Sequence, residues 1–325
     1  MTNSKKRFIC LEAAMAAMVI VLVFIMVKEH IGKPSRKISV ILQDSNSSQW
    51  SAFRYGLKMA AEDQGVEVFI ASIGDGLTVH EQINAVKYEI DNGADAVIVH
   101  PVPGTNIEAK LKKIEKKVPV ILVECTASKN KYESMLPTVE PDNYAMGKAL
   151  AEELLTDYNK NLKGKTLGIV TDGTDSECVI NRRKGFQDVM ENTSVKIRWS
   201  ISSSFGKFEE NSLENQPKVD LIIALDNTSL IAAGEYSALN DLHGALVYGI
   251  GNSTEAVYYL DTSNVECLVI PDEFNVGYQS LTEVAKSLEH YFYKLEDRTL
   301  SYTVLRKEEL FLEKNQEIIF TMSQY

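Results

Sequence analysis

One strand–turn–helix–strand segment near the start of the chain constrains the fold more than any other feature. An apolar run, Ile38–Leu42, is followed by a polar turn and then by apolar residues spaced as on one helix face. That face is formed by Phe53, Leu57, Ala60 and Ala61. Gly65 is a typical helix end, and residues 66–71 read as a second strand. Such a βαβ unit predicts a parallel sheet with right-handed crossovers.

Ligands of open parallel sheets bind beyond the carboxyl ends of the strands. The turn after the first predicted strand carries Gln43, Ser47 and Trp50 at that edge. We therefore expect these three side chains to lie close to a ligand.

The same alternation of strands and helices continues along the chain. Further strands are predicted at 95–100, 119–124, 165–171, 195–201, 219–225, 245–250 and 266–270. Helices are predicted at 78–92, 105–116, 143–158, 175–191, 228–239, 254–260 and 275–295. No linker rich in proline, glycine or serine separates the two halves. The fold class is therefore α/β, with two similar layers and a boundary near Asp142, which is suited to capping the next helix.

The amino terminus has the pattern of a membrane anchor. Three basic residues precede an apolar run, Phe8–Val27, whose length suits a helix that crosses a bilayer. A cleaved signal peptide is the alternative, but no small-x-small cleavage site follows the run. Cys10 precedes the apolar core, which argues against lipidation there. We expect a cell-membrane protein with a single span and an ectodomain on the extracytoplasmic side.

Charge is distributed unevenly along the chain. Residues 1–37 carry a net charge of +5, whereas the whole chain carries −11, so the remainder carries −16. A basic stem can approach anionic lipid, and an acidic ectodomain stays soluble. Nucleic acid is excluded as a partner because its recognition needs a basic face.

The cysteines and the acidic residues do not form a recognisable reactive centre. Cys125, Cys178 and Cys267 follow the anchor, show no metal-ligand spacing, and are predicted to be small buried residues. No nucleotide-binding loop or catalytic triad pattern is present. We therefore expect no enzyme, no cofactor and no metal site.

The ectodomain resembles a known family, the type 1 periplasmic binding proteins of the ribose and galactose (monosaccharide) group. The resemblance extends over residues 37–325 and rests on several segments in the same order. They are the opening unit and PVILVE at 119–124, VEPDNYAMGKALAEEL at 139–154, NRRKGFQDVM at 181–190, LIIALDNTSLIAAGEYSAL at 221–239, VYGIGNS at 247–253 and DEFNVGY at 272–278.

The resemblance implies two Rossmann-like lobes, joined by a three-crossing hinge and preceded by the anchor and stem, residues 1–36. The first lobe would comprise residues 37–141 plus 272–299, and the second residues 142–271 plus 300–325. A ligand would bind in the cleft between them.

The resemblance also implies site residues. Trp50 and Phe205 would sandwich a sugar ring, whose apolar faces stack on aromatic rings. Glu124 and Asp226 would accept hydrogen bonds from hydroxyl groups, and Cys125 stands where the family has an arginine. His100 ends a predicted strand and is a further candidate. A purely structural role is the alternative for His100, Trp50 and Phe205.

Several family positions depart from the expected pattern. A second arginine position falls on Ile180, an acidic position on Gly251, and a hinge glutamine on Pro271. An unpartnered buried hydroxyl costs about 1–3 kcal/mol, so glucose, galactose and ribose are not expected ligands. Because no arginine is matched to Glu124 and Asp226, a cationic or amine-bearing ligand is an open alternative.

Two functions remain open from the sequence. The protein delivers a sugar-like ligand to the permease of an ABC-type importer, or it is a receptor that acts on a membrane sensor histidine kinase. Both functions depend on a ligand that shifts an equilibrium between open and closed lobes.

Overall fold

The computed structural model describes residues 14–23, 35–74, 78–104, 106–125, 136–172, 176–203, 213–290 and 292–324. Two compact units are present, residues 1–36 and residues 37–325. In the first unit, residues 14–23 are helical. Among the described residues no helix is both long enough and apolar enough to span a membrane. The predicted span Phe8–Val27 extends on both sides into parts of the chain outside the described ranges.

The larger unit is an alternating α/β structure. Its strands are β1 (Lys37–Gln43), β2 (Glu67–Ile73), β3 (Ala96–Val99), β4 (Val120–Val123), β5 (Thr138–Pro141), β6 (Thr166–Asp172), β7 (Lys196–Ser203), β8 (Leu221–Ala224), β9 (Leu246–Ile250), β10 (Cys267–Pro271), β11 (Arg298–Leu300) and β12 (Tyr302–Leu305). Its helices are α1 (Ser51–Gln64), α2 (Val79–Asp91), α3 (Ile107–Ile114), α4 (Asn143–Asp157), α5 (Glu177–Met190), α6 (Asn227–Ala238), α7 (Thr254–Asp261), α8 (Glu273–Glu289) and α9 (Glu313–Met322). Short 3-10 turns occur at Ser48–Trp50, Leu213–Asn215 and Lys307–Glu309.

The strands form two sheets of six strands each. The first has the order β11-β5-β4-β3-β1-β2, and the second has the order β12-β10-β9-β8-β6-β7. All neighbours in the first sheet are parallel, and β1 lies between β2 and β3 as predicted for the opening βαβ unit. In the second sheet only β12, at the edge, is antiparallel to its neighbour.

Each sheet is covered by helices on both faces. In the first lobe α1 and α8 cover one face, while α2 and α3 cover the other. In the second lobe α4 and α5 cover one face, and α6, α7 and α9 cover the other. Because both faces are buried, the central strands are continuous apolar runs rather than alternating ones.

Paired glycines allow close helix crossings in both lobes. A Cβ atom on Gly56 would overlap the Phe274 carbonyl where α1 meets α8, and one on Gly147 would overlap the Arg182 carbonyl where α4 meets α5. The second crossing therefore fixes the position of Arg182 relative to the start of α4.

Three segments connect the lobes, after β5, after β10 and between β11 and β12. The crossings are joined by backbone hydrogen bonds from Asp142 to Leu300 (3.0 Å) and from Asp272 to Ser301 (3.2 Å). Each aspartate also caps the helix that follows: Asp142 accepts from the amide of Ala145, and Asp272 from that of Asn275. The capping at Asp142 agrees with the sequence prediction.

The sequence prediction missed four short or terminal elements. The strands β5, β11 and β12 have three or four residues each and lack the continuous apolar run that marks the equally short β3, β4 and β8. The last helix, α9, packs Met322 against the core of the second lobe. The predicted start of α8 at residue 275 was two residues late, because Asp272 is the cap.

Candidate functional site

A cleft of about 180 Å³ lies between the lobes, at the carboxyl ends of the central strands of both sheets. The residues that line it include Trp50, His100 and Glu124 from the first lobe and Arg182 and Asp226 from the second. A larger depression of about 390 Å³ lies on the outside of the first lobe, between α2 and α3. We identify the cleft as the candidate site because buried polar side chains of both lobes converge there.

Trp50 forms an aromatic wall of the cleft and is also part of the core of the first lobe. Its indole nitrogen donates to the carbonyl of Gln43 (3.1 Å). Its ring contacts those of Phe53 and His100 edge-on, at centroid distances of 5.5 and 5.1 Å. Trp50 therefore lines the cleft and is also part of the core, while its stacking on a ligand stays a prediction.

His100 follows β3 and lines the cleft beside Trp50. Its carbonyl accepts a hydrogen bond from the Gln82 side chain (2.7 Å), whereas its buried Nδ1 atom has no partner among the described residues. Burial lowers the pKa of His100 to about 4, so the ring is neutral at physiological pH. A neutral imidazole can donate to or accept from a bound hydroxyl group.

Glu124 follows β4 with a φ of +68°, in a region that residues other than glycine rarely adopt. Such backbone strain is concentrated at functional sites. Its side chain is buried beside that of Glu273, the first residue of α8. Burial raises the pKa of both carboxyl groups, and the charge of Glu124 raises that of Glu273 further.

Arg182 lies in a buried network that connects both lobes. Its Nε atom donates to Asn143 Oδ1 (2.7 Å) and its Nη1 atom to the Leu225 carbonyl (3.1 Å). The Nδ2 atom of Asn143 donates in turn to the carbonyl of Glu124 (3.3 Å). The guanidinium charge is attracted to Glu124, Glu273 and Asp226. This corrects the expectation that no arginine stands opposite these carboxylates: Arg182, which the sequence matched to the family's Arg-x-x-Gly-Phe motif and not to the cleft, faces them.

The carboxylate of Asp226 is already hydrogen-bonded to backbone amides. It accepts from the amides of Ser229 and Asp172, both at 2.8 Å, and Asp226 is the cap of α6. Burial raises the pKa of Asp226, whereas these hydrogen bonds and Arg182 oppose the rise. We therefore interpret Asp226 as a residue that shapes the cleft, with little free capacity for a ligand.

The other candidates have different outcomes. Gln43 and Ser47 do not line the cleft, and their backbone carbonyls instead accept hydrogen bonds from Trp50. Ile180 is partly exposed. Phe205 lies outside the described residues, so its predicted place in an aromatic sandwich stays a prediction.

Cys125 and Cys178 form a disulfide bond, with a Cα–Cα distance of 5.3 Å. This corrects the prediction that Cys125 and Cys178 are merely small buried residues, whereas Cys267 is free and buried as expected. Cys125 follows β4 of the first lobe, and Cys178 lies in the first turn of α5 in the second lobe. The arginine expected at position 125 is therefore replaced by a covalent link between the lobes.

Two hydrogen bonds also cross the cleft. Ser48 Oγ donates to Glu255 Oε2 (2.9 Å), and Asn252 Nδ2 donates to the carbonyl of Gln49 (3.1 Å). Both join the turn before α1 to the region where α7 begins. The structure is therefore a closed form of the two lobes.

Comparison with known proteins agrees with this architecture. A family model described as "Periplasmic binding protein domain" matches residues 38–290. The chain belongs to the periplasmic binding protein family. The resemblance to the type 1 group that the sequence predicted is thereby confirmed. Members of this family are binding proteins, so the chain is a binding protein rather than an enzyme.

Three relatives illustrate the similarity. The galactofuranose-binding protein YtfQ of Escherichia coli (strain K12) is 32% identical over 169 residues, which are 50% of this chain and 51% of that protein. The chain thus matches about half the length of this curated relative. A carbohydrate transporter solute-binding protein from Agrobacterium radiobacter, solved with D-arabinose, has a TM-score of 0.76 and 18% identity over 89% of this chain and 100% of its own. XylFII, solved in a complex with LytSN, has a TM-score of 0.71 and 15% identity over 85% of this chain and 99% of its own.

Sequence reasoning missed Glu273 and Asn252 and did not assign Arg182 to the cleft. An acid at the start of a helix is usually explained by the helix dipole, so Glu273 gave no separate signal. Arg182 could have been found by helical spacing, since it lies one turn after Cys178, on the face that meets the cleft.

Proposed function

We propose that the protein binds a sugar-like ligand in the interlobe cleft and delivers it to the permease of an ABC-type importer. The observation that carries this proposal is the convergence of Trp50, His100, Glu124 and Arg182 around one cavity. An aromatic wall suits the apolar faces of a sugar, while carboxylate and guanidinium groups suit its hydroxyls.

The relatives support a sugar as the ligand. YtfQ is named for galactofuranose, and the Agrobacterium protein was solved with D-arabinose. The fold alone does not decide the ligand, because one fold hosts many functions. Two arginines of the family are missing at positions 125 and 180. Arg182 supplies one guanidinium group to the cleft in their place.

We also propose that the chain is anchored in the cell membrane by its apolar amino-terminal segment, with the ectodomain on the extracytoplasmic side. The match to a periplasmic binding protein domain supports this orientation, whereas the basic residues that lie on both sides of Phe8–Val27 do not decide it. Within the ectodomain we propose the lobe division 37–141 plus 272–299 and 142–271 plus 300–325.

A receptor function is the second candidate. XylFII, a protein of the same fold, was solved in a complex with a second protein, LytSN. By analogy, the closed lobes of this chain would act on a membrane sensor kinase instead of a permease. Co-purification of the full chain with a permease or with a kinase separates the two candidates.

A thermal-shift screen of the full chain in detergent tests the binding proposal. The probes are D-arabinose, D-fucose, D-tagatose and methyl galactofuranoside, and a ligand at a hundred times its Kd stabilises the native state by about 2.7 kcal/mol. Arg182→Lys should lose the shift, and Glu289→Gln, an exposed change on α8, should keep it. A shift that survives in Arg182→Lys places the ligand elsewhere.

A further inference from the structure

The carboxyl groups of Glu124 and Glu273 form the most unusual arrangement in the cleft. Both side chains are more than nine-tenths buried, with exposures of 7% and 2%, and both line the cavity. Two ionised carboxylates so close together in a low-dielectric site repel one another strongly. One proton on the pair removes this repulsion and forms a hydrogen bond between the two groups.

The surroundings decide where that proton resides. Arg182 attracts both carboxylates, and Glu140 adds negative charge near Glu124. Asn252 lies near Glu273, whose carboxyl group also borders a second cavity with Lys314 and Glu317. Burial and the Glu124 charge together hold the pKa of Glu273 well above its ordinary value of 4.5. The guanidinium of Arg182 favours the ionised form of Glu124 more than that of Glu273, so Glu124 is the carboxylate of the pair and Glu273 carries the proton.

The pair still has unused capacity for hydrogen bonds. Glu124 Oε1 and both carboxyl oxygens of Glu273 lack a partner at hydrogen-bonding distance among the described residues. Even with one shared proton, oxygen atoms of the pair remain as acceptors toward the cleft. Buried acceptors without partners are costly, so a ligand that fits must supply donors.

The net charge of the cleft favours the same kind of ligand. Glu124, Asp172 and Asp226 oppose one guanidinium, that of Arg182, and His100 is neutral. A carboxylate or phosphate on a ligand would be repelled by this excess and would find few donors. A hydroxyl or ammonium group would donate to the free oxygen atoms.

We propose that Glu124 and Glu273 share one proton. On the proposed function of the cleft, the pair thereby selects an uncharged or amino-substituted polyol over acidic and phosphorylated sugars. The pair is then the determinant of the charge class of the ligand. It differs from a guanidinium fork, which accepts acidic groups readily.

The first arm of the test needs no ligand. Because the native state keeps a proton that the unfolded chain releases above about pH 4.5, native stability falls as the pH rises above that value. Glu273→Gln preserves the donor and shape of the protonated acid but does not titrate. Between pH 5 and pH 8 the melting temperature of the wild type should fall relative to that of Glu273→Gln by about 2 °C per pH unit. The difference stops growing once Glu273 ionises in the native state.

The control for this arm is Glu289→Gln, the same substitution at an exposed position of the same helix. It should follow the wild type at every pH. If Glu273→Gln also follows the wild type, the two carboxyl groups do not share a proton, and the proposal is overturned whatever the ligand is.

The second arm uses D-galactose, which the guanidinium of Arg182 readmits as a probe, together with D-galactosamine, which carries an ammonium group at C2, and D-galacturonate, which carries a carboxylate at C6. Calorimetric titration at pH 7 should show at least a tenfold weaker association for the galacturonate than for the better of the other two. Equal or tighter binding of the galacturonate overturns the selection. Binding of none of the three rejects the selection together with the proposed function, while a positive first arm still establishes the shared proton.

Discussion

At the scale of single residues, His100 makes the stability of the first lobe depend on pH. Its neutral ring is packed against Trp50 inside the protein, and its pKa is about 4 instead of 6.5. Between pH 6.5 and pH 4 the unfolded chain binds a proton there that the native state does not. Stability is therefore lost as the pH falls through this window, by about 3 kcal/mol in total.

We expect His100→Gln to remove this loss. Thermal unfolding at pH 7 and at pH 4.5 should show a smaller decrease in melting temperature for His100→Gln than for the wild type. His290→Gln, at the exposed end of α8, is the control and should retain the full decrease. Equal decreases in both variants would mean that His100 is protonated in the native state.

The site residues show how far sequence reasoning reaches at this scale. Trp50, His100 and Glu124 were predicted correctly as residues that line one cleft, because each lies at or just after the carboxyl end of a parallel strand or its following turn. Arg182 was recognised in its helix motif but not as a cleft residue, because the sequence does not show which side of that helix meets the first lobe. Glu273 was missed because burial beside another carboxyl group is a property of the folded molecule only.

At the scale of secondary structure elements, a disulfide bond joins the end of β4 to the first turn of α5. The bond between Cys125 and Cys178 closes a loop with a sequence separation of 53 residues. By the chain-entropy relation, such a loop stabilises the native state by about 4 kcal/mol. It also ties two elements of different lobes together, independently of the hinge.

We expect the double variant Cys125→Ser/Cys178→Ser to unfold at a lower temperature than the oxidised wild type and to be insensitive to dithiothreitol. The wild type should become as unstable as the variant after reduction. As a direct check, alkylation of the unfolded, unreduced protein should modify two of the four cysteines in the sequence. Modification of all four would show that the bond is absent.

The elements themselves could largely be predicted from the sequence. Long periodic segments such as α1 and α4 were placed within a residue or two, because burial of one face imposes a clear spacing. The disulfide could not be predicted, because positions 125 and 178 meet only when both lobes are assembled. The strands β11 and β12 were missed because they pair through backbone atoms and carry little side-chain pattern.

At the scale of the whole molecule, two hydrogen bonds and a disulfide bond join the described parts of the lobes across the cleft, in addition to the hinge and the Asn143–Glu124 contact beside it. They are the hydrogen bonds Ser48–Glu255 and Asn252–Gln49 and the disulfide bond. A hydrogen bond to a neutral group contributes about 1 kcal/mol and one to a carboxylate such as that of Glu255 about 1.5–3 kcal/mol, so thermal motion can break them singly. The covalent link limits how far the lobes can separate afterwards.

This combination predicts how the lobes open. Asn252→Ala/Glu255→Ala should leave the radius of gyration in solution scattering nearly unchanged while the disulfide is intact. The same variant should expand after reduction with dithiothreitol. Tyr144→Phe removes a hydrogen bond to Asp188 within the second lobe and should not change the response of the wild type. Equal expansion of the variant before and after reduction would mean that the disulfide does not restrain the hinge.

The central claim, that the ligand binds in the interlobe cleft, can be tested with the two tryptophans of the chain. Trp50 lines the cleft, whereas Trp199 lies in β7 and donates to the carbonyl of Pro217. The most direct measurement is a fluorescence titration of Trp199→Phe and of Trp50→Phe with a sugar that stabilises the full chain. Ligand binding in the cleft should give a saturable change in emission for Trp199→Phe and none for Trp50→Phe. A response that comes from Trp199 alone would contradict this claim.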